Sequence, residues 1–303
     1  MAWELDLDGS RCSPESAHDD WRREELGRFL RACRSRLRPG DVGLPSRGLR
    51  RVRGLRREEV AELADVSVGW YTAFELGTAH HVSPRFANAI ADVFRMTETE
   101  RTFLLALLEP PSGRTCAEQR EALDALMLGA DACALAVLDG GLATLASTET
   151  WRRLLGIRSG ASASGRSIVD WTFADPSVGS RFDDWDDLAA FACGALRMQM
   201  ARGETGAFSV FRRFAGDERF MFHWNRRTLY DPQDAALHFT LRHPVEGIVP
   251  VRLNAVGIAR SSAAIVVIVG DGNEARAHMQ RLTTFARTGA RLYDFKPVLV
   301  AQS

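Results

Sequence analysis

The sequence predicts an α+β protein of two domains, an all-α N-terminal domain followed by a domain that combines strands with helices. Apolar residues recur at helical spacing in five segments before residue 109. Short β-branched segments come later in the chain, with helical segments between them. Between the two patterns, residues 109–113 read Glu-Pro-Pro-Ser-Gly, a composition typical of a linker. At 303 residues, the chain is long enough for each domain to bury its own core.

The helical spacing gives the N-terminal domain its boundaries. A first helix is predicted from about Trp21 to Arg38, where a Pro-Gly pair ends it. Ser83 is placed to cap a fourth helix, and Thr97 to begin a fifth. We therefore predict a poorly ordered tail over residues 1–20, the all-α domain over 21–108, a linker over 109–117 and the second domain over 118–303.

The segment from Arg56 to Glu75 is the most informative part of the chain. Its apolar positions predict two short helices that cross steeply, with the small Ala61 where their backbones approach most closely. Asp65 lies in the turn, which needs a residue that tolerates a left-handed conformation. Ser67 is placed to cap the second helix. This is the spacing of a DNA-binding helix-turn-helix, and its second helix would enter a groove of double-stranded DNA.

Charge is concentrated just before this segment. The whole chain carries 39 basic and 39 acidic residues, but residues 28–57 contain eleven arginines and one acid, Asp41. Arginine's forked donors suit phosphate oxygens, so beside a helix-turn-helix phosphate contact is favoured over a merely solvated loop. The predicted phosphate contacts are Arg47, Arg50, Arg51, Arg53 and Arg56.

The second domain begins with strand patterns over residues 134–138 and 142–145, after a helix near residues 123–127. Helices rich in large apolar residues follow, with a Ser/Gly-rich loop at residues 159–165. Strand patterns return over residues 237–241, 249–256 and 264–269. This order predicts a PAS-like α+β module, in which a small sheet and its helices enclose an apolar pocket.

With these residues in view, the chain resembles the MmyB-type transcription regulators, a bacterial family that joins an XRE-class helix-turn-helix to a PAS-like ligand-binding domain. Residues 26–31, 41–45 and 54–61 carry the resemblance in the first domain. Residues 173–176 and 243–247 carry it in the second. The resemblance implies a lambda-repressor-like DNA-binding domain in a sequence-specific, homodimeric DNA binder. It also implies a sensor for a small hydrophobic ligand, with fatty-acyl compounds as the best candidates.

The resemblance also assigns site residues. Arg57 opens the first helix of the pair where a polar residue often contacts DNA, and Tyr71 and Phe74 would face the core. The residues assigned to the groove face are Ser67, Val68, Gly69, Trp70, Thr72 and Ala73. The residues assigned to the ligand are Phe173, Trp185, Leu196, Trp224 and His243. Two alternatives stay open, since Trp70 could pack inside the domain and His243 could be a structural residue that ends a strand.

The sequence departs from the family at several positions. Ala73 stands where the family commonly has arginine, Leu76 where it has a polar residue, and Ser147-Thr148 where it usually has Trp-Asn. Few bidentate base contacts are available to such a recognition helix. We therefore expect phosphate contacts and DNA shape to contribute more to binding than in relatives.

Other classes of function find little support in the sequence. No apolar run is long enough to span a bilayer, and the acidic N-terminus lacks the basic start of a secretion signal. The five cysteines contain no CxxC pair, so we expect neither a zinc site nor a disulfide framework. No catalytic constellation can be assembled, so we expect a non-enzymatic, cytoplasmic and nucleoid-associated protein without cofactor or metal. The alternative is a DNA-tethered protein-interaction module that binds no small molecule.

Overall fold

A computed structural model describes residues 14–45, 54–79, 82–108, 133–157, 166–230, 236–258 and 263–287. The described part of the N-terminal domain contains five α-helices and a short 3-10 helix, Pro39–Val42. The α-helices are α1 Pro14–Arg36, α2 Arg57–Leu63, α3 Val68–Glu75, α4 Pro84–Val93 and α5 Glu98–Leu108. Five helices in this order agree with the sequence-based prediction.

The first helix differs from its prediction. It begins at Pro14, before Trp21, so part of the segment predicted to be a poorly ordered tail is helical. The early turns are held by contacts with the second domain, because His18 and Trp21 both pack on the ring of Phe208. Local sequence could not show these contacts. Residues 1–13 lie outside the described part of the chain.

Local chemistry fixes the helix pair as predicted. Asp65 has a φ of 54°, the left-handed conformation that the turn requires. The Ser67 hydroxyl accepts a hydrogen bond from the backbone N–H of Trp70 at 3.1 Å, which caps α3. A Cβ atom on Gly27 of α1 would lie 2.5 Å from the carbonyl oxygen of Glu75, so the two backbones meet where no side chain fits.

The second domain is an antiparallel sheet with helices. Its strands are β1 Ala134–Leu138, β2 Thr144–Ser147, β3 Leu237–His243, β4 Gly247–Gly257 and β5 Ala264–Gly270. Its helices are α6 Glu149–Leu155, α7 Ile168–Ala174, α8 Val178–Arg181, α9 Trp185–Ala201, α10 Thr205–Phe214, α11 Glu218–Asn225 and α12 Asn273–Arg287. The described sheet has the order β2-β1-β5-β4-β3. The α+β fold class is therefore confirmed.

The second strand begins later than predicted because the turn before it is longer. Leu142 has a φ of 61° and belongs to this turn. One carboxylate oxygen of Asp139 accepts from the backbone N–H groups of Gly141 and Ala143, both at 2.8 Å. These bonds organise the turn and place the start of β2 at Thr144.

The core of the second domain lies between one face of the sheet and the helices, and α9 passes through its centre. The far end of α9 also contacts the first domain, where Met198 and Ala201 join the N-terminal core. Among the described helices, none combines the length and the apolar character that a membrane crossing requires. The predicted helix at 123–127, the linker at 109–117 and the Ser/Gly-rich loop at 159–165 lie outside the described residues.

Candidate functional site

The recognition helix α3 presents the residues that the resemblance assigned to the groove. Ser67 and Gly69 are exposed, Val68 is 41% exposed, and Thr72 and Ala73 are partly exposed. Tyr71 and Phe74 are buried in the core, as predicted for them. One face of α3 is therefore available to a partner while the other anchors the domain.

Trp70 lies at the edge of that face. Its ring packs edge-on against Phe86 with centroids 4.2 Å apart, and it stacks on Phe74 at 5.7 Å. The ring is only partly exposed. These contacts favour the packing role that the sequence left open, in which Trp70 fixes α3 against α4.

A buried carboxylate holds the recognition helix in place. Glu75 is 0% exposed and accepts from Arg34 of α1 at 2.8 and 3.2 Å. It also accepts from Arg57 at 3.0 and 2.7 Å and from the Tyr71 hydroxyl at 3.1 Å. Burial alone would raise the pKa of Glu75, but the hydrogen bonds from Arg34 and Arg57 hold it below its ordinary value. The carboxylate therefore stays ionised and ties α3 to α1 and α2.

The Glu75 cluster was not predicted from the sequence. The available signal was an acidic residue four positions after the core-facing Tyr71, on the same side of the helix. The cluster also gives Arg57 a structural task, because its Nε and Nη2 both donate to Glu75. Arg56 is exposed at the start of α2, whereas Arg47, Arg50, Arg51 and Arg53 lie outside the described residues.

The second domain contains a cavity of about 650 Å³ between the sheet and the helices α6 and α7. The residues that the sheet contributes are Leu138, Thr144, Phe239, Leu241, Val251, Leu253 and Ile268. The apolar residues that the helices and their connections contribute are Trp151, Leu154, Leu155, Ile157, Ile168, Trp171, Phe182 and Leu188. This size and this apolar lining are those of a small-molecule site.

Polar groups also line the cavity. Arg166, Ser167, Asp175, Ser177 and Arg181 contribute to its wall. Burial lowers the pKa of Arg181, and the nearby Asp175 opposes that shift. Arg181 donates a hydrogen bond to the carbonyl oxygen of Leu155. The cavity thus has the character of an amphipathic site, with a partly desolvated guanidinium beside an apolar chamber.

The five residues that the resemblance assigned to the ligand lie elsewhere in the described structure, and none of them lines this cavity. Phe173 packs edge-on against Trp185 and Phe220, with centroids 5.7 and 5.3 Å apart. Leu196 is fully buried, and Trp224 lies beneath the guanidinium of Arg197. Phe173, Leu196 and Trp224 pack in the core among the helices, whereas the same helices α7 and α9 send other residues, Trp171 and Leu188, to the cavity wall.

His243 lies at the end of β3, away from the cavity. Its Nδ1 accepts from the backbone N–H groups of Val245 and Glu246, at 3.3 and 3.1 Å, and so caps the turn into β4. Burial lowers the pKa of His243, with opposing contributions from the carbonyl group of Arg153 and from Glu246. The strand-ending role that the sequence left open accounts for these contacts.

Among the described residues, no group of three or more histidine, cysteine or carboxylate side chains is placed to bind a metal ion. The described geometry consists instead of an anchored recognition helix in one domain and a lined cavity in the other.

Together, these features define a transcription regulator that joins a helix-turn-helix domain to a small-molecule-binding domain. Two family models match the chain: a helix-turn-helix domain over residues 25–104, and the MmyB-like transcription regulator ligand binding domain over residues 119–282. The chain therefore belongs to the MmyB-like transcription regulators. No curated protein matches it. Membership implies that it binds DNA through the first domain and a small molecule through the second.

Proposed function

We propose that this protein is a homodimeric bacterial regulator whose sequence-specific DNA binding is controlled by an amphipathic, acyl-type ligand. The observation that carries the proposal is the cavity of about 650 Å³, lined by apolar side chains and by Arg181. A fatty acid has the complementary form, an apolar chain that ends in a carboxylate.

The apolar lining supports the chain of such a ligand. Each methylene group that leaves water for an apolar site contributes roughly 0.8 kcal/mol, so affinity rises with chain length until the cavity is filled. Phe239, Val251 and Ile268 come from three neighbouring strands and form one continuous apolar floor. Trp151 and Trp171 face this floor from the helices.

Arg181 supports an anionic head group. Its guanidinium is partly desolvated, and an anion within contact distance would offset the unfavourable burial that lowers its pKa. A carboxylate accepts two parallel hydrogen bonds from a guanidinium, which fixes the orientation of the ligand as well as adding affinity.

The recognition helix supports the DNA-binding half of the proposal. Ser67 and Thr72 supply hydroxyl groups, while Val68 and Ala73 supply methyl groups that suit thymine. The arginines at 47–57 would contact phosphates and fix the register of the protein on the duplex. In a twofold dimer, half-sites about 34 Å apart would place two copies of α3 in successive major grooves.

Native mass spectrometry and calorimetry with palmitate and hexadecanol test the ligand. We expect palmitate to bind one-to-one to each chain. Arg181→Met should remove the preference for the acid over the alcohol, and Leu253→Trp, which projects a bulkier ring into the cavity, should weaken binding of both. Arg219→Met, which removes an arginine that lies over Trp185 instead of in the cavity, is the matched control.

If palmitate binds Leu253→Trp and wild type equally, the cavity is not its site. If neither lipid binds the wild type, the ligand class is wrong, and a DNA-tethered protein-interaction module becomes the better account. The arginines are tested separately by the salt dependence of DNA affinity, whose slope should fall by about one for each phosphate contact removed.

A further inference from the structure

Helix α1 contacts both domains. Its later turns place Leu26 and Leu30 in the N-terminal core, and its Arg34 holds Glu75 of the recognition helix. Its earlier turns lie on the second domain, where His18 stacks on Phe208 with ring centroids 3.7 Å apart. A single helix of 23 residues therefore connects the ligand-binding domain to the recognition helix.

The centre of this contact is an ion cluster around Glu25 of α1. The side chain of Glu25 is 5% exposed, and its carboxylate lies 3.2 Å from Nε of Arg197 in α9. Arg227 of the second domain and Arg28 of α1 approach the same carboxylate, at 3.4 and 3.5 Å. Three guanidinium groups thus share one carboxylate. Glu25 is therefore the acidic residue whose negative charge balances all three arginines of the cluster.

Arg197 is almost completely enclosed. Its side chain is 2% exposed, its guanidinium lies 4.0 Å above the ring of Trp224, and its Nη2 donates to the Trp224 carbonyl oxygen at 2.7 Å. Burial lowers the pKa of Arg197 to about 10, and Glu25 opposes this shift. Arg197 therefore stays protonated at neutral pH. Its buried charge is neutralised mainly by a carboxylate from the other domain, so separation of the domains would leave it without that partner.

The same helix carries a wall of the cavity. Leu188 lines the cavity near the start of α9, and Arg197 lies nine positions later on the same continuous helix of 17 residues. At about 1.5 Å per residue, roughly 14 Å separates the two positions along the axis. Met198 and Ala201, a little further on, pack in the N-terminal core. A displacement of α9 at the cavity would therefore also move the residues of α9 that contact the first domain.

We propose that Glu25 and Arg197 form an interdomain latch through which occupancy of the cavity changes DNA binding by the recognition helix. The proposal rests on the proposed function, because it concerns how the same cavity and the same helix communicate. Such coupling requires that the ligand bind the latched and unlatched states with different affinity, and it is then reciprocal between ligand and DNA.

The test is a double-mutant cycle on the full-length protein that needs no ligand. Leu188→Trp adds bulk to the cavity wall on α9 and is designed to displace that helix as a ligand would, and Glu25→Gln removes the charge of the latch while keeping its shape. DNA affinity is measured with a genomic fragment selected by the wild-type protein. We expect Leu188→Trp to change affinity by about tenfold in the wild-type background, within the usual range of allosteric coupling, and by less than about twofold in Glu25→Gln.

Glu24→Gln is the matched control. Glu24 is the neighbouring acid, its side chain is 64% exposed, and its partner is Arg28 on the same helix. The effect of Leu188→Trp should persist in this background. Because Glu25→Gln leaves the buried Arg197 without its carboxylate, the cycle is repeated with Glu25→Gln/Arg197→Met, which removes both charges and keeps the fold if the single variant does not.

Equal effects of Leu188→Trp in the wild type, in Glu25→Gln and in the double variant would overturn the latch, as would the absence of any effect in the wild type. Palmitate binding is measured on the same proteins. If palmitate does not bind, the acyl-ligand proposal is refuted, but the result of the double-mutant cycle still stands. The failure of the ligand proposal can therefore be distinguished from the failure of the latch.

Discussion

The two domains each bury an ionised side chain but neutralise it in different ways. The Glu75 carboxylate accepts hydrogen bonds from Arg34, Arg57 and the Tyr71 hydroxyl, which all belong to its own domain. Arg197 depends on Glu25 from the other domain. A buried charge with local partners stabilises one domain, whereas a buried charge with a remote partner makes the two domains depend on each other. The first arrangement fixes α3 within its own domain, and the second links the stability of one domain to its contact with the other.

The largest loss of stability is expected from Glu75→Leu in the N-terminal domain. Glu75→Leu leaves two arginines facing a buried position without their carboxylate, and loss of one partner of a buried pair costs about 3 kcal/mol or more. Chemical denaturation followed by tryptophan fluorescence measures the free energy of unfolding. Glu62→Gln, at an exposed position of α2, should change it by less than about 0.5 kcal/mol. Equal losses in the two variants would show that the cluster does not hold α3.

Glu25→Gln should lower the free energy of unfolding by less than Glu75→Leu does, but the loss should extend over both domains. The hydrogen bond that Arg227 donates to the Glu25 carboxylate is lost with its charge, which costs about 2 kcal/mol, and both domains should lose protection because each supplies one partner. Hydrogen exchange resolved along the sequence measures this, with Glu24→Gln as the control. A loss confined to α1 and its immediate core would mean that Glu25 serves the N-terminal domain alone.

Acid should destabilise the two domains in different pH ranges. Burial lowers the pKa of both His223 and His243. The unfolded chain therefore takes up protons first, and the stability of the second domain falls as the pH drops below about 6.5. The pKa of Glu75 is held below its ordinary value, so its contribution is complete above about 4.3 and is lost only as the pH falls further.

Hydrogen exchange at a series of pH values separates the two domains in this respect. His243→Gln should reduce the loss of stability that the second domain shows as the pH falls. His238→Gln, at an exposed imidazole, should leave that loss unchanged. If the N-terminal domain lost protection first, the comparison would be reversed and the assignment of these groups would fail.

The smallest effect concerns Trp70. If its role is to pack against Phe74 and Phe86, Trp70→Phe should cost about 1 kcal/mol of stability and leave DNA affinity within about threefold. Stability and DNA affinity are measured on the same preparation. A large loss of affinity at unchanged stability would instead make Trp70 a direct DNA contact.

The sequence predicted the helix-turn-helix in detail because its determinants are local. Asp65 sets the turn and Ser67 caps α3, and both act on residues within a few positions of themselves. The same holds for Thr97, whose hydroxyl accepts from Glu100 N–H and whose own N–H donates to the Glu100 carboxylate. Such reciprocal bonds can be predicted from spacing alone.

A pocket in the second domain was predicted, but the residues that line it and those that form the latch could not be predicted from local spacing. The cavity wall brings Leu138 together with Phe239 and Ile268, which meet only after β5 has inserted between β1 and β4. Arg227 and Glu25 lie 202 positions apart. The resemblance did direct attention to Leu196 and Trp224, but they lie beside Arg197 at the domain contact and not beside the cavity.

In the proposed mechanism, occupancy of the cavity controls DNA binding. The most direct measurement is the affinity of the full-length protein for its selected DNA fragment, with and without saturating palmitate, in the wild type and in Leu253→Trp. We predict a change on the order of tenfold in the wild type and a smaller one in Leu253→Trp, whose cavity is narrowed. An equal change in both proteins, or no change in the wild type although palmitate is bound, would show that the cavity does not control DNA binding.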